Sequence, residues 1–193
     1  RAAMTYTFVI VAGPVEPYFA SGRSKLRLKA EARYTRAASG GTGAAKTSGN
    51  YAGTLKPMAE AITEGFDQIL WLDGQTHQYA EEAGQMNVFF RIGDEVITPE
   101  LSGTILAGVT RDSVIQLLSD WGYTVSTRQM SIQELKSASD AGILNEMFGA
   151  GTAAVIAPIQ SITLHDEELS VNAPNGPELS KRLLDTILGI QHG

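Results

Sequence analysis

Hydrophobic and polar residues alternate along parts of this chain, and such a period of two predicts β-strands. The clearest alternation covers residues 26–34, where apolar side chains at every second position are separated by lysine, arginine or glutamate. We expect this strand to bury one face and to turn the other toward water. Two apolar runs without alternation, at residues 6–11 and 68–72, predict buried strands.

Turn residues divide the remaining apolar segments into further strands. Asp73-Gly74 and Gly93-Asp94 are turn dipeptides suited to hairpins, and Gly149-Ala150-Gly151-Thr152 separates two more apolar segments. The strands predicted beside these turns are residues 78–82, 86–92, 96–97, 147–148 and 153–164. The chain is therefore expected to contain many strands that are close in sequence to their partners.

Helices are predicted between these strands at residues 50–64, 110–121, from 131 onward and at 178–190. Pro57 is expected either to kink the first helix or to mark its true start. Ser131 and Glu134 have the spacing of a capping box. Strands and helices do not alternate regularly, which favours a mixed α/β (α+β) fold over a doubly wound parallel sheet.

Composition narrows the classes of partner. The formal net charge of -6 argues against a nucleic acid, and no apolar run approaches the ~20 residues of a membrane-spanning helix. We expect a soluble, cytoplasmic protein. With no cysteine and three scattered histidines, the sequence predicts neither a thiolate nucleophile nor a metal site.

Two glycine-containing turns that end in threonine are candidate anion sites, at residues 107–110 and 149–152. Each offers backbone N–H groups and a hydroxyl, and Thr110 also opens a predicted helix, whose N-terminus favours negative charge. The alternative is that Thr110 only caps the helix and that the glycines only allow the turns.

Lys46 and Glu82 are candidates for chemistry that spacing alone leaves open. Lys46 follows the glycine-rich loop at residues 37–43, and a lysine in a loop is more often a solvated charge than a nucleophile. Glu82 is the last residue of the strand predicted at residues 78–82, and it is equally well explained as an ordinary carboxylate of a hairpin.

The order and spacing of seven motifs resemble the branched-chain aminotransferases, which depend on pyridoxal phosphate. The motifs are Lys-x-x-Gly-Asn-Tyr at residues 46–51, Leu-Trp-Leu-Asp-Gly at 70–74, Glu-x-Gly-x-Met-Asn at 82–87, Thr-Pro-Glu-Leu-Ser-Gly at 98–103, Gly-Val-Thr-Arg-Asp at 108–112, Phe-Gly-x-Gly-Thr-Ala at 148–153 and Gly-Ile-Gln at 189–191. The resemblance covers essentially the whole chain.

The resemblance implies the D-amino-acid-aminotransferase-like fold, in which a small N-terminal domain precedes a larger pseudo-barrel of strands, hairpins and surrounding helices. Residues 1–193 resemble the large C-terminal, cofactor-binding domain, and we expect the small domain to be absent from this chain. Because the family's small domain contributes walls of the substrate pocket, residues 1–193 alone are expected to have little aminotransferase activity.

The resemblance also implies roles for cofactor-binding residues. Lys46 resembles the lysine that holds pyridoxal phosphate as a Schiff base and moves the proton at the substrate Cα. Tyr51 resembles the phenol that hydrogen-bonds the ring 3′-oxygen, and Glu82 resembles the acid that keeps the pyridine nitrogen protonated. The family's phosphate-binding positions correspond to Val109, Thr110 and Thr152.

For the substrate, Ala153 resembles the residue whose amide receives the carboxylate, and Gln85 lies where relatives often have a threonine near the side chain. The implied reaction transfers the amino group of leucine, isoleucine or valine to 2-oxoglutarate, in an enzyme that is at least a homodimer. Three alternatives stay open: another enzyme of the same fold, such as a D-amino-acid aminotransferase or an aminodeoxychorismate lyase; a non-catalytic assembly domain or chain that binds the cofactor without turnover; or a structural β-rich module with no ligand.

Overall fold

The alternating and apolar segments pair into one mixed sheet in the computed structural model, which describes residues 2–14, 25–173 and 178–193. In chain order the strands are β1 (Leu26–Glu31), β2 (Gln68–Leu72), β3 (Ala80–Ala83), β4 (Met86–Ile92), β5 (Glu95–Thr98), β6 (Thr124–Thr127), β7 (Leu144–Gly151), β8 (Val155–Leu164) and β9 (Glu167–Ser170). The helices are α1 (Ser48–Ala52), α2 (Leu55–Thr63), α3 (Val109–Asp120), α4 (Ile132–Asp140) and α5 (Glu178–His192).

Six of these strands close into a ring. The neighbours run in the order β3, β2, β1, β8, β7 and β4, and β4 pairs back with β3. Strand β1 is parallel to both of its neighbours, whereas the other contacts around the ring are antiparallel. A closed ring leaves none of these strands as a free edge, and the interior is filled by side chains.

Strand β4 is the point at which the ring branches. Its edge opposite β7 pairs with β3 through Met86 and Asn87, and with β5 from Phe90 onward. Between the two partners the backbone carbonyl of Val88 accepts a 2.8 Å hydrogen bond from Thr98 Oγ1. The edge is therefore shared, and the side chains at the start of β4 lie beside β3.

Alternation along β4 places successive side chains in two different cores. Val88 and Phe90 pack among the residues inside the ring, while Phe89 faces the layer formed by α3 and α5. In that outer layer Phe89 stacks on Phe148 with ring centroids 5.1 Å apart. A third, smaller cluster packs Ala61 of α2 against Trp71 of β2.

Most of the predicted elements are present with shifted ends. The helix expected at residues 50–64 is divided into α1 and α2, and Pro57 occupies the first turn of α2, where its missing N–H costs least. The side chain of Ser131 accepts a hydrogen bond from the Glu134 amide, as the capping pattern predicts. Strands β1, β2 and β4 lie within the predicted segments.

Two predictions need correction, and two strands were missed. Residues 6–11 form no strand and their side chains are exposed, because no described strand lies beside them to pair with their backbone. The Asp73-Gly74 turn is part of a longer connection from β2 to β3, in which the Asp73 carboxylate accepts hydrogen bonds from several amides up to Tyr79. Strands β6 and β9 were not predicted.

Two kinds of feature are absent from the residues that the structure describes. No helix in residues 2–14, 25–173 and 178–193 is long and apolar enough to cross a membrane. The same residues bring together no group of three acidic or histidine side chains able to hold a metal ion.

The N-terminus of α5 depends on a carboxylate from another element. Glu146 of β7 is buried and accepts hydrogen bonds from the Leu179 amide at 2.8 Å and from the Ser180 amide and hydroxyl at 3.1 and 2.9 Å. These donors are among the groups that a helix leaves unsatisfied at its first turn. The carboxylate therefore ties α5 to the sheet.

We predict that Glu146→Ala lowers the free energy of unfolding by about 2 to 4 kcal/mol, because it removes the acceptor of the buried Leu179 amide and the acidic partner that lies 3.6 Å from Arg91. The measurement is urea unfolding followed by circular dichroism. Glu167→Ala, which removes an exposed carboxylate paired with Lys136, is the matched control and should change stability little. A Glu146→Ala chain that unfolds at the same urea concentration as the parent contradicts the assignment.

Candidate active site

A cleft opens beside the turn that joins β3 to β4. Its walls come from the segment that joins β1 to α1, from α1 itself, from the β3–β4 turn and from the loop before α3. The polar side chains that line it are Arg36, Asn50, Tyr51, Thr54, Glu82, Gln85 and Asn87. Three residues expected from the sequence to form one site, Tyr51, Glu82 and Gln85, are thus brought together.

Glu82 forms the buried acidic end of this cleft. It lies on β3 with only 4% of its surface exposed. One carboxylate oxygen accepts a 2.8 Å hydrogen bond from the Leu106 amide, and the other lies 3.5 Å from Nε of Arg36, whose side chain is itself buried. A carboxylate this deep needs such partners, because burial alone strongly disfavours its charge.

The partners do not fully offset the burial of Glu82. Burial raises the pKa of the Glu82 carboxyl from 4.5 to about 7, and the nearby Glu81 carboxylate adds to the rise. Arg36 and the Leu106 amide lower this pKa, and the Lys46 ammonium lowers it as well. One more positive or hydrogen-bond-donating group beside Glu82 would therefore stabilise its carboxylate further.

Lys46 lies close enough to Glu82 to influence its charge, although its own side chain is exposed. The segment before it is held by Asn50, whose side-chain amide donates to the carbonyls of Thr42 at 2.8 Å and Ala45 at 2.7 Å. Thr42 Oγ1 in turn donates a 2.7 Å hydrogen bond to Oδ1 of the Asn50 side chain. The position of Lys46 is therefore fixed by the start of α1 rather than by its own contacts.

Gly43 lets this loop approach the neighbouring one. A Cβ at residue 43 would lie 2.4 Å from the Thr104 carbonyl oxygen and 2.5 Å from Cβ of Ala37. Only glycine permits that contact without moving the backbone. The glycine-rich loop is thus packed against the segment that leads to the Leu106 amide.

Asn87 connects the two glycine-containing turns. Its side-chain amide donates a 2.9 Å hydrogen bond to the Leu106 carbonyl, and a Cβ at Gly108 would lie 2.3 Å from its Oδ1. On the other side, Asn87 pairs with Ala150 in the β4–β7 register. One buried asparagine therefore contacts the turn before α3 and neighbours the strand that leads to Thr152.

The first turn has the geometry of a helix N-terminus. Helix α3 begins at Val109, and its N-cap residue is Gly108, which has no side chain to accept a hydrogen bond. The hypothesis that Thr110 caps the helix is therefore wrong. Thr110 lies instead in the first helical turn, next to the exposed Val109, where backbone N–H groups point out of the helix. This arrangement suits an anion.

The second turn is strained. Thr152 and Ala153 are exposed in the connection between β7 and β8, and the next strand begins at Val155 with φ of 55°. A β-branched residue in the left-handed region is unfavourable and is retained mostly where surrounding structure requires it, often at functional sites. Five predicted site residues do not line the cleft: Lys46, Val109, Thr110, Thr152 and Ala153.

Several residues of this site were not singled out from the sequence. Asn50 and Asn87 lie inside the motifs that carried the resemblance, so their positions offered a signal. Arg36 offered none, because its burial depends on loops that come from three separate parts of the chain. The site as a whole combines a buried acid whose pKa is raised to about 7, an exposed lysine close enough to lower that pKa, and two glycine-containing turns that Asn87 connects to the cleft.

Comparison with known proteins gives one consistent family. The model of the class IV amino-transferases matches residues 1–162. Branched-chain-amino-acid aminotransferase 2 of Bacillus subtilis (strain 168) is 48% identical over 192 residues, which cover 100% of this chain and 53% of that protein. The chain spans about half the length of the curated relatives it matches.

Solved structures agree with this. The branched-chain aminotransferase of the archaeon Thermoproteus uzoniensis, solved with norvaline, has a TM-score of 0.74 and 26% identity, covering 94% of this chain and 57% of that one. The holo, PLP-form enzyme of Thermobaculum terrenum has a TM-score of 0.69 and 27% identity, covering 86% of this chain and 52% of that one.

The raised pKa of Glu82 predicts a pH dependence of stability in the ligand-free chain. The unfolded carboxyl loses its proton near pH 4.5, whereas the folded one keeps it to about pH 7. Because the folded state binds more protons in this window, the free energy of unfolding falls as the pH rises through it, by roughly 3 kcal/mol in total.

Urea unfolding at about pH 5 and about pH 8 measures this loss. Glu82→Gln should remove the Glu82 contribution, so that the variant loses less stability between the two pH values than the parent. Glu168→Gln, an exposed carboxyl on β9, is the control and should behave like the parent. Equal losses in the Glu82→Gln and parent chains contradict the raised pKa.

Proposed function

The chain belongs to the class IV aminotransferases, and we propose that it forms the cofactor-binding part of a pyridoxal-phosphate-dependent branched-chain-amino-acid aminotransferase. The observation that carries the proposal is the buried Glu82 beside Lys46, in a cleft whose margin leads to two anion-compatible turns. The relatives and solved structures named above are branched-chain aminotransferases by name, which supports the choice of substrate.

The residues present fit the cofactor in three respects. Glu82 keeps an elevated pKa despite Arg36 and the Leu106 amide, so a protonated pyridine nitrogen is the kind of group that would complete its environment. Tyr51 lines the same cleft and would donate to the ring oxygen. The turns at Val109-Thr110 and at Thr152 offer donors to the phosphate.

Bound pyridoxal phosphate supplies an electron sink for the charge that develops at the substrate Cα. Within that scheme the Lys46 amine would take the proton from Cα of the amino acid and would deliver it to C4′ of the cofactor. Glu82, charged beside a cationic nitrogen, keeps that nitrogen protonated. The exposed position of Lys46 leaves its amine free to reach both the cofactor and the substrate.

Substrate contacts are proposed at two further residues. The Ala153 amide, exposed beside the Thr152 turn, would receive the substrate carboxylate, and Gln85 would face the side chain from the β3–β4 turn. Leucine, isoleucine and valine are the proposed amino donors and 2-oxoglutarate the acceptor. A branched aliphatic side chain also needs an enclosed apolar pocket, which this cleft alone does not supply.

The assembly that we propose is a cytoplasmic homodimer in which residues 1–193 correspond to the large domain and a small N-terminal domain completes the pocket. The second candidate is another class IV enzyme, such as a D-amino-acid aminotransferase or an aminodeoxychorismate lyase. Amino-donor profiling of the complete protein separates them: turnover of L-leucine with 2-oxoglutarate supports our proposal, and turnover of D-alanine or aminodeoxychorismate instead overturns it.

We predict that borohydride reduction of the chain loaded with pyridoxal phosphate attaches a phosphopyridoxyl group to Lys46. Peptide mapping by mass spectrometry identifies the modified lysine. Lys46→Ala should abolish the adduct without unfolding the chain, since an exposed side chain contributes little packing. Lys56→Ala is the matched control and should keep it, and an adduct found only at Lys25 or Lys56 contradicts the assignment.

The two phosphate turns give a second prediction. Thr110→Ala and Thr152→Ala should each weaken pyridoxal phosphate binding by about 1 to 3 kcal/mol, because each removes a charge-assisted hydrogen bond. Affinity for pyridoxal, which lacks the phosphate, should not change, and Ser113→Ala on the same helix should leave both affinities unchanged. Fluorescence titration measures them, and parental affinity in the double variant refutes the prediction.

A further inference from the structure

We propose that Glu81 is a positioning residue for Glu82, because its carboxylate anchors, through Thr104, the loop that carries the Leu106 amide to Glu82. The inference rests on the proposed role of Glu82 and deepens it. It assigns a task to a buried carboxyl that the reaction described above leaves unused.

Two adjacent carboxylates of β3 hold the same loop at two points. Glu81 and Glu82 are 6% and 4% exposed, and the register of β3 against β2 shifts at Glu81, since Trp71 pairs with Glu82 and Leu72 with Ala80. The Thr104 hydroxyl donates to Glu81 and lies 2.8 Å from the Ser102 hydroxyl, and the Leu106 amide donates to Glu82 at 2.8 Å. The loop is therefore held by two adjacent carboxylates within three residues.

Arg36 makes the connection between the two carboxylates continuous. Its guanidinium donates to the Thr104 carbonyl and lies 3.5 Å from the Glu82 carboxylate. Thr104 thus accepts from Arg36 through its backbone and donates to Glu81 through its side chain. Arg36 lowers the pKa of both buried carboxyls, and the exposed Lys46 adds to its effect at Glu82, yet burial keeps both pKa values raised.

Glu81 has few other attachments. Its Oε2 is buried and has no hydrogen-bond partner among the described residues. Burial raises the pKa of Glu81, Thr104 and Arg36 lower it, and the charge of Asp73 raises it. Glu82 faces Arg36, Lys46, the Leu106 amide and Glu81 itself. Thr104 is therefore the contact through which Glu81 acts on the loop.

The charge of Glu81 and its hold on Thr104 act on Glu82 in opposite directions. The negative charge disfavours a second negative charge on Glu82 and so raises its proton affinity. The anchored loop supplies the Leu106 amide and orients Arg36, both of which stabilise the Glu82 carboxylate and lower its proton affinity. Two substitutions can separate these effects.

Glu81→Gln keeps an oxygen that accepts from Thr104 but removes the charge, so the Glu82 titration should move to lower pH, by at least about threefold in proton affinity. Thr104→Val removes the contact through which Glu81 holds the loop, and the poorer alignment of the Leu106 amide and Arg36 should move the Glu82 titration to higher pH. The lost hydroxyl also raises the pKa of Glu81 and so weakens its charge, which acts in the opposite direction, so a net move to higher pH reports the loop contacts. The probe is the carboxyl ¹³C resonance of Glu82 in the ligand-free full chain labelled at glutamate, assigned as the signal lost in Glu82→Gln.

Thr104→Ser retains the hydroxyl and should restore the parental midpoint, while Glu168→Gln should not alter it. Opposite shifts in Glu81→Gln and Thr104→Val, with rescue by serine, support the proposal. The proposal is overturned if the Glu82 midpoint does not move in Glu81→Gln, or if it moves in the same direction in both variants. Either result means that Glu81 only stabilises the fold. The titration is carried out without cofactor, so its result does not depend on Lys46. A failure of Lys46 to react with pyridoxal phosphate would overturn the proposed function but not this inference.

Discussion

The short pairing of β3 with β4 is the contact on which the candidate site depends. It consists of Ala83 opposite Met86 and Glu82 opposite Asn87, at the place where the ring of strands closes. The same pairing sets the buried acid beside the asparagine that holds the Leu106 carbonyl. Closure of the ring and assembly of the cleft are therefore one structural event, and neither tolerates a change of register.

The second constraint is that a buried carboxylate needs hydrogen-bond donors or a positive charge beside it. The chain supplies them from neighbouring elements. Glu82 draws on an arginine and a backbone amide, and Glu146 draws on the first turn of α5. The two sites differ in what their partners require. The donors around Glu146 belong to a helix end that needs an acceptor, whereas the partners of Glu82 leave its carboxyl with a pKa near neutrality, a property that is frequent in sites that receive another group.

Local sequence signals predicted the elements whose stabilising contacts are also local. The Ser131 cap was correct for this reason, whereas the alternation at β1 was correct because it reports the burial of one strand face and does not depend on which strands lie beside it. Strand β9 was missed because its turn uses His165 and Asp166 at positive φ, with no glycine to indicate it. Residues 6–11 have strand composition but no neighbour in the described chain, and composition cannot supply one. The burial of Arg36 escaped prediction since it depends on distant loops.

The seam between β1 and β8 has a consequence for how the chain reaches this structure. It joins residues more than 130 positions apart, such as Leu28 and Ile162, whereas the β3–β4 and β7–β8 hairpins close over only a few residues. Contacts of such long range are entropically costly to nucleate and slow folding. We expect the hairpins to form early and the β1–β8 pairing to form late. The rate of that pairing therefore determines how long the apolar residues of the barrel interior stay exposed and able to aggregate with other chains during synthesis.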